Sequence, residues 1–397
     1  MGKQGVGFGL CGHVMNGSTH LAVAMPSKLR QEGTGSLPFR QSPRTSLHMK
    51  LAMFAPGLFL TLASASVLSA QQGGVTHVDT VAAPSLRGNL IGDPDRREVT
   101  VYLPPSYSRN RSKRYPVVYL LHGFAADHRA FMKGAYQNLN VRISMDSLIK
   151  AGATREMIVV TPNARSWFDG SFYANSVVTG NWEDFIVRDL VGYMDRKYRT
   201  IRNRSGRGVT GHSMGGYGAL RLGMRHPEVF SAVYALSPCC LGTIEFNDAG
   251  TQRDWRNGAA LTARDRYKAS GFGTNRFYAE AAVYSPDPDN PPFFVRLPYR
   301  LNGDSLVLDT AVARKWRATP LDIAPSYARN LKRIAIAFDA GDNDGLRDIP
   351  PNVQRLDSLL TALGVEHTSE IYSGDHGNRI RARLETKVFP FFSKTLR

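Results

Sequence analysis

The sequence predicts an α/β domain, a mostly parallel sheet with helices on both faces and a long insertion near its C-terminal third. Three observations lead there. Short continuous apolar runs, at residues 116–121 and 157–161, read as strands buried on both faces. Longer stretches with apolar residues at helical spacing separate such runs. And Gly211-His212-Ser213-Met214-Gly215 stands between a strand-like run and a helix-like one. Strands alternating with helices imply a parallel sheet, whose ligands bind beyond the carboxyl ends of the strands.

Taken in order, residues 99–103 alternate and stop at Pro104-Pro105. Residues 116–121 form the next strand, and residues 127 to about 150 suit a helix. Residues 157–161 are a strand closed by Pro162. Val187, Leu190, Val191 and Met194 mark a helix over 182–198. Residues 208–210 lead into the serine, and 216–224 form the helix behind it. Residues 231–236, 333–339 and 367–372 are further strands. Val353, Leu356, Leu360 and Leu363 mark a helix, and 379–394 a last one. Residues from about 241 to 332 break the rhythm. They carry Pro286, Pro288, Pro291, Pro292 and Pro298, with Trp255, Phe272, Phe277, Tyr278, Phe293, Phe294 and Tyr299. That is too long for a loop, and we read it as a cap over the site. Its aromatics either line an acyl or aryl pocket or pack the cap onto the sheet, and for any single ring packing is the commoner role.

The 397 residues are 42% hydrophobic and 21% charged, an ordinary globular balance. Residues 1–48 show no sustained period and read as a disordered leader or a start placed too early. Residues 49–70 join Lys50 to an apolar run that ends in small residues, the layout of a secretory signal peptide. Pro56 and Gly57, with a run diluted by Ser and Ala, argue against a membrane anchor. The expectation is a secreted or periplasmic protein beginning near Gln71, with the working domain at 75–397. The net charge of +17 is spread along the chain. Without interleaved basic and aromatic residues it predicts a solvated surface rather than nucleic-acid binding. Cys239 and Cys240 are adjacent and build no disulfide framework; two buried thiols are expected over a vicinal bridge. No Cys/His ligand spacing or H-E-x-x-H segment suggests a metal.

The chemistry centres on Ser213. A serine on a sharp strand-to-helix turn raises its hydroxyl above the sheet edge, and the N–H of the next residue, Met214, points where an oxyanion would form. A serine hydroxyl needs a base, and the base an orienting acid. His376 lies between Asp375 and Gly377, after the last strand, in a loop unsuited to a core residue. His122, His212 and His367 are rivals better explained by a strand-end loop, by the serine turn and by a strand start. Asp339, Asp342 and Asp344 share the loop after the 333–339 strand, and the spacing from Gly341 favours Asp344. The backbone N–H of Phe124, after His122-Gly123, is the second oxyanion donor candidate.

The motifs at residues 102–107, 115–123, 183–185, 189–190 and 211–220 together resemble the esterase D-like, or Putative esterase, family. That family includes S-formylglutathione hydrolases, feruloyl and acetyl-xylan esterases, and mycolyltransferases. The resemblance covers about residues 75–396 apart from the insertion. It implies an α/β-hydrolase fold, no cofactor, and a triad of Ser213, His376 and Asp344, with Phe124 and Met214 as oxyanion donors. It also implies that the segment around Trp182 and Asp184 runs beside the site, with Glu183 supporting the catalytic groups. The expected activity is serine carboxylic-ester hydrolysis on a small-molecule or carbohydrate-linked ester. Acyl transfer to an alcohol on the same triad is the first alternative, and a non-catalytic binding protein the second.

Overall fold

The computed structural model describes residues 73–242 and 249–397. The expectations for residues 1–48 and 49–70 lie outside the described residues. Eight strands form the central sheet: β1 (Val75–Ala82), β2 (Arg96–Leu103), β3 (Val117–Leu121), β4 (Ile158–Pro162), β5 (Arg207–His212), β6 (Ala232–Leu236), β7 (Ala335–Gly341) and β8 (Thr368–Tyr372). Their spatial order is β1-β2-β4-β3-β5-β6-β7-β8. The first two are antiparallel additions, β1 to β2 and β2 to β4, and all other pairs are parallel.

Every residue of β3, β4, β5 and β6 is buried, as the continuous apolar runs require. The two-residue period sends alternate side chains to opposite faces. Val117, Tyr119 and Leu121 join the core that holds Trp182, Phe185 and Tyr217. Val118 and Leu120 join the other, with Met145, Leu384, Val388 and Phe392. Helices therefore cover both faces.

Strand β1 has no counterpart among the predicted elements. It is an edge strand with Val75 and Val78 exposed, so no apolar run announces it. The helix expected over 127–150 is shorter. Only Val141–Lys150 is regular, capped by Asn140, whose side chain accepts from the Ile143 N–H. Before it, Tyr136, Gln137 and Asn138 take left-handed conformations, with φ of 60°, 56° and 57°. Helix-like polarity there does not encode a helix, because three successive left-handed residues turn the chain back. The helix expected over 182–198 is present with a widened middle turn at Phe185–Leu190, and the C-terminal helix has another at Leu384–Val388.

The insertion folds as helices Ala249–Ala259 and Phe272–Tyr284, a hairpin of Tyr299–Asn302 with Ser305–Leu308, and short helical turns leading back to β7. Most of its aromatics are internal packing. Trp255 stacks on Phe277 with centroids 3.7 Å apart, and Tyr267, Tyr278 and Phe293 surround Phe168. Phe272 is the exception, more than half exposed. Cys239 and Cys240 are free, buried thiols.

Candidate active site

Ser213 follows β5 and precedes the helix Met214–Arg225, with φ 59° and ψ −119°. For a residue with a Cβ that conformation costs on the order of 1–3 kcal/mol, and it persists only where the surroundings enforce it. They do. The Ser213 N–H donates to the Leu236 carbonyl at 2.9 Å, and the Ser213 carbonyl accepts from Tyr217 N at 3.0 Å and Cys239 N at 3.3 Å. A Cβ at position 215 would overlap the Leu121 carbonyl oxygen, so only glycine lets the helix start this close to β3. Met214 is the first helical residue, and the helix leaves its N–H unclaimed. A Cβ at Gly123 would sit 3.4 Å from Ser213 Cβ, so the loop carrying Phe124 abuts the serine.

The loops after β7 and β8 start side by side because Gly341 pairs with Tyr372 in parallel register. Asp342 joins them: its N–H reaches the Tyr372 carbonyl at 2.8 Å and its carboxylate accepts from Gly374 N at 3.0 Å. A Cβ at position 341 would overlap the Gly374 carbonyl, which accounts for that glycine. Asp344 then meets His376. Its Oδ2 lies 2.7 Å from His376 Nδ1, and its Oδ1 accepts from Leu346 N at 2.8 Å. The Asp344 side chain is fully buried and the His376 side chain 28% exposed. With Nδ1–H committed to the carboxylate, Nε2 carries the free lone pair. Asp339 faces the other side of the sheet. It binds Tyr234 and Arg383, both at 2.8 Å, and burial lifts its carboxyl to about 6 against the pull of Arg383.

The loop bearing His376 is also held from the serine side. His212 Nε2–H donates to the His376 carbonyl at 2.7 Å, and His212 Nδ1 accepts from Tyr136 Oη at 3.2 Å. The two imidazoles lie 4.6 Å apart. Burial, reinforced by His376, pushes the His212 imidazole down to about 3, so it is neutral with one fixed tautomer. The left-handed turn at 136–138 serves this contact, and Gln137 adds a bond to the Gly377 carbonyl at 2.8 Å. Sequence reasoning placed His212 in the serine turn but missed its hold on His376; Tyr136 carried no signal at all. His122 has a parallel task. It accepts from Ala164 N at 2.9 Å and donates to the Gly123 carbonyl at 2.8 Å, and burial lowers it to about 4. The Ser213 hydroxyl makes no hydrogen bond to His376 among the described residues. Such contacts often close only around substrate.

Glu183 requires a correction. Its carboxylate binds Arg221 at 3.3 Å, Arg225 at 2.7 Å and His226 at 2.8 Å. Arg221 is eight residues past Ser213, about 12 Å along the helix axis. Glu183 therefore clamps the far end of the serine helix and touches none of the catalytic candidates. Burial acts to raise its carboxyl, but the bonds from His226 and Arg225 and the charge of Arg221 outweigh it, for a net fall to about 2.

The Phe124 ring lies edge-on to Phe272 of the insertion, with centroids 5.4 Å apart. The insertion thus reaches the loop after β3 that carries Phe124. Among the described residues no cluster of three His, Cys, Asp or Glu is arranged for a metal, and no helix is long and apolar enough to cross a membrane.

The model of the Putative esterase family matches residues 94–380. An esterase of Mycobacterium tuberculosis is 31% identical over 218 residues, 48% of this chain and 44% of that protein. This chain thus spans under half the length of that relative. A ferulic acid esterase structure aligns with TM-score 0.56 and 24% identity, covering 82% of this chain and 99% of that one. A fluorophosphonate-binding serine hydrolase of Staphylococcus aureus aligns with TM-score 0.52 and 17% identity, covering 81% and 100%. These two likenesses show a shared fold, the α/β-hydrolase.

Proposed function

We propose that this chain, which belongs to the Putative esterase family, is a carboxylic-ester hydrolase that works through an acyl-enzyme on Ser213. The observation that carries the reading is the 2.7 Å pair between His376 Nδ1 and Asp344 Oδ2, in loops anchored to the strained serine turn.

In this account Ser213 Oγ attacks the ester carbonyl and passes its proton to His376 Nε2. Asp344 holds the imidazole in the required tautomer and stabilises the imidazolium. The N–H groups of Phe124 and Met214 take the oxyanion, aided by the positive end of the Met214–Arg225 helix dipole. The imidazolium protonates the departing alcohol. Water then repeats the attack with His376 as base, and the acid leaves. The residues call for no cofactor in any step. Export is part of the proposal and rests on the pattern of residues 49–70.

The test is labelling with a fluorophosphonate followed by peptide mapping. Modification of Ser213 that disappears in His376→Ala supports the reading. A folded protein left unlabelled contradicts it. Incubation with acyl donor and a sugar acceptor then separates hydrolysis from transfer.

A further inference from the structure

A cavity of about 1020 Å³ opens between the insertion and the segment that continues from Asp344. Two of its lining residues tie it to the candidate site. Phe272 sets its ring against Phe124, and Leu346 donates its N–H to Asp344. Its inner wall connects to the serine turn through a relay of contacts. Arg276 lies 3.4 Å from Glu280, which accepts from the Cys240 thiol at 3.1 Å, and the neighbouring Cys239 N–H bonds the Ser213 carbonyl.

At depth this cavity holds Arg276 beside Glu280, and Arg347 and Arg355 stand exposed nearer its mouth. The Arg276 side chain is 12% exposed, yet its Nε has no hydrogen-bond partner. The 3.4 Å approach to Glu280 misses hydrogen-bond geometry, and the rest of the guanidinium makes no hydrogen bond among the described residues. Arg347 has no ion pair among the described residues, and Arg355 gives a single bond to Asn352 at 3.1 Å. A guanidinium this deep loses hydration that only use of its donors makes good. Its planar fork fits a carboxylate through two parallel bonds. Among the described residues the lining carries Arg253, Arg276, Arg347 and Arg355 with Asp254 and Asp348, and Glu280 stands behind Arg276. A carboxylate brings one negative charge beside these carboxylates and a phosphate dianion two, so the carboxylate meets the smaller repulsion.

We propose that the cavity is an anion subsite that seats a carboxylate carried by the ester substrate, with Arg276 as its deep anchor and Arg347 and Arg355 drawing the anion in. The inference rests on the ester-hydrolase reading and gives it a substrate class.

Matched ester pairs test it. Mono-p-nitrophenyl adipate against p-nitrophenyl hexanoate places the carboxylate on the acyl side. 4-Acetoxybenzoate against 4-acetoxybenzamide places it on the alcohol side. The expected result is a kcat/KM preference of about tenfold or more for the acid in one of the pairs. The preference should shrink severalfold between about 20 mM and 0.5 M salt. Arg276→Met with Glu280→Gln removes both charges together, so neither is left buried alone. That variant should keep the neutral-ester rate and lose the preference. Arg347→Gln with Arg355→Gln, on the surface, should lower only the salt-dependent part. No preference in either pair, or one that survives loss of Arg276, overturns the subsite. If Ser213 labels with fluorophosphonate while charge preference is absent, the subsite alone falls. If Ser213 neither labels nor turns over the neutral esters, the hydrolase reading fails and the subsite with it.

Discussion

His212 Nε2 donates to the main-chain carbonyl of His376 at 2.7 Å, so the residue before the serine holds the loop of the base. Two loops far apart in sequence are thereby locked into one geometry. The bond carries no proton in the proposed reaction; it fixes where the imidazole stands.

His212→Phe should therefore lower kcat by about 10- to 100-fold, the scale of a misplacement near 1 Å. KM for small esters should hardly change. His212→Gln, with a donor at a similar reach, should recover much of the loss. The buried neutral imidazole also predicts an acid sensitivity. The His212 pKa falls from an ordinary 6.5 when unfolded to about 3 when folded. Its contribution is then complete above pH 6.5 and is lost as pH falls toward 3. Urea melts from pH 7 to 4 should show a shallower decline for His212→Gln than for the wild type.

Asp339, a residue of β7 itself, and Asp342 and Asp344 in the loop after it should separate by phenotype. Asp344→Asn is expected to lose about 10³- to 10⁴-fold in kcat with little change in Tm. Asp342→Ala frees one tie between the loops and should cost far less. Asp339→Asn removes a buried partner of Arg383, with Glu370 remaining at 2.8 Å. It should lower stability by up to about 3 kcal/mol and spare kcat. Steady-state rates and urea melts on the three variants check this. A crippled Asp342→Ala with an active Asp344→Asn would reverse the assignment.

How much of this was legible follows from the physics of each signal. β3 and β4 were readable because strands buried on both faces must be apolar throughout. β1 was not, because an edge strand needs few apolar residues. His376 stood out because its flanking residues build a loop. Asp344 needed the fold, since only the register of Gly341 against Tyr372 decides which carboxylate faces the imidazole. Glu183 was drawn toward the site by the resemblance, whereas its partners near the helix C-terminus emerge only from the packing of two helices. The turn at Tyr136–Asn138 is stabilised by contacts to a loop some 240 residues away, which no local pattern encodes.

Glu183→Gln tests the corrected placement. Its carboxyl falls from an ordinary 4.5 to about 2 in the fold, so its stabilisation is present above pH 4.5 and lost as pH drops toward 2. The variant should be less stable at neutral pH and should show a weaker dependence between pH 4.5 and 2. Its kcat should stay within about twofold. A hundredfold loss of kcat with unchanged stability would place Glu183 in the catalytic group after all.

Export predicts a processed N-terminus near Gln71. Sequencing the protein from culture supernatant or periplasm reads it directly. A mature chain that retains the apolar run at 51–68 would contradict the signal-peptide reading.

The most direct measurement is the covalent one. Intact-protein mass spectrometry during p-nitrophenyl acetate turnover should show a transient acetyl adduct, mapped to Ser213 by peptide analysis. Ser213→Ala, with an unchanged thermal melt, should show no adduct and lose on the order of 10⁶ in kcat. An adduct on another residue, or a folded Ser213→Ala that hydrolyses the ester near the wild-type rate, would contradict the account.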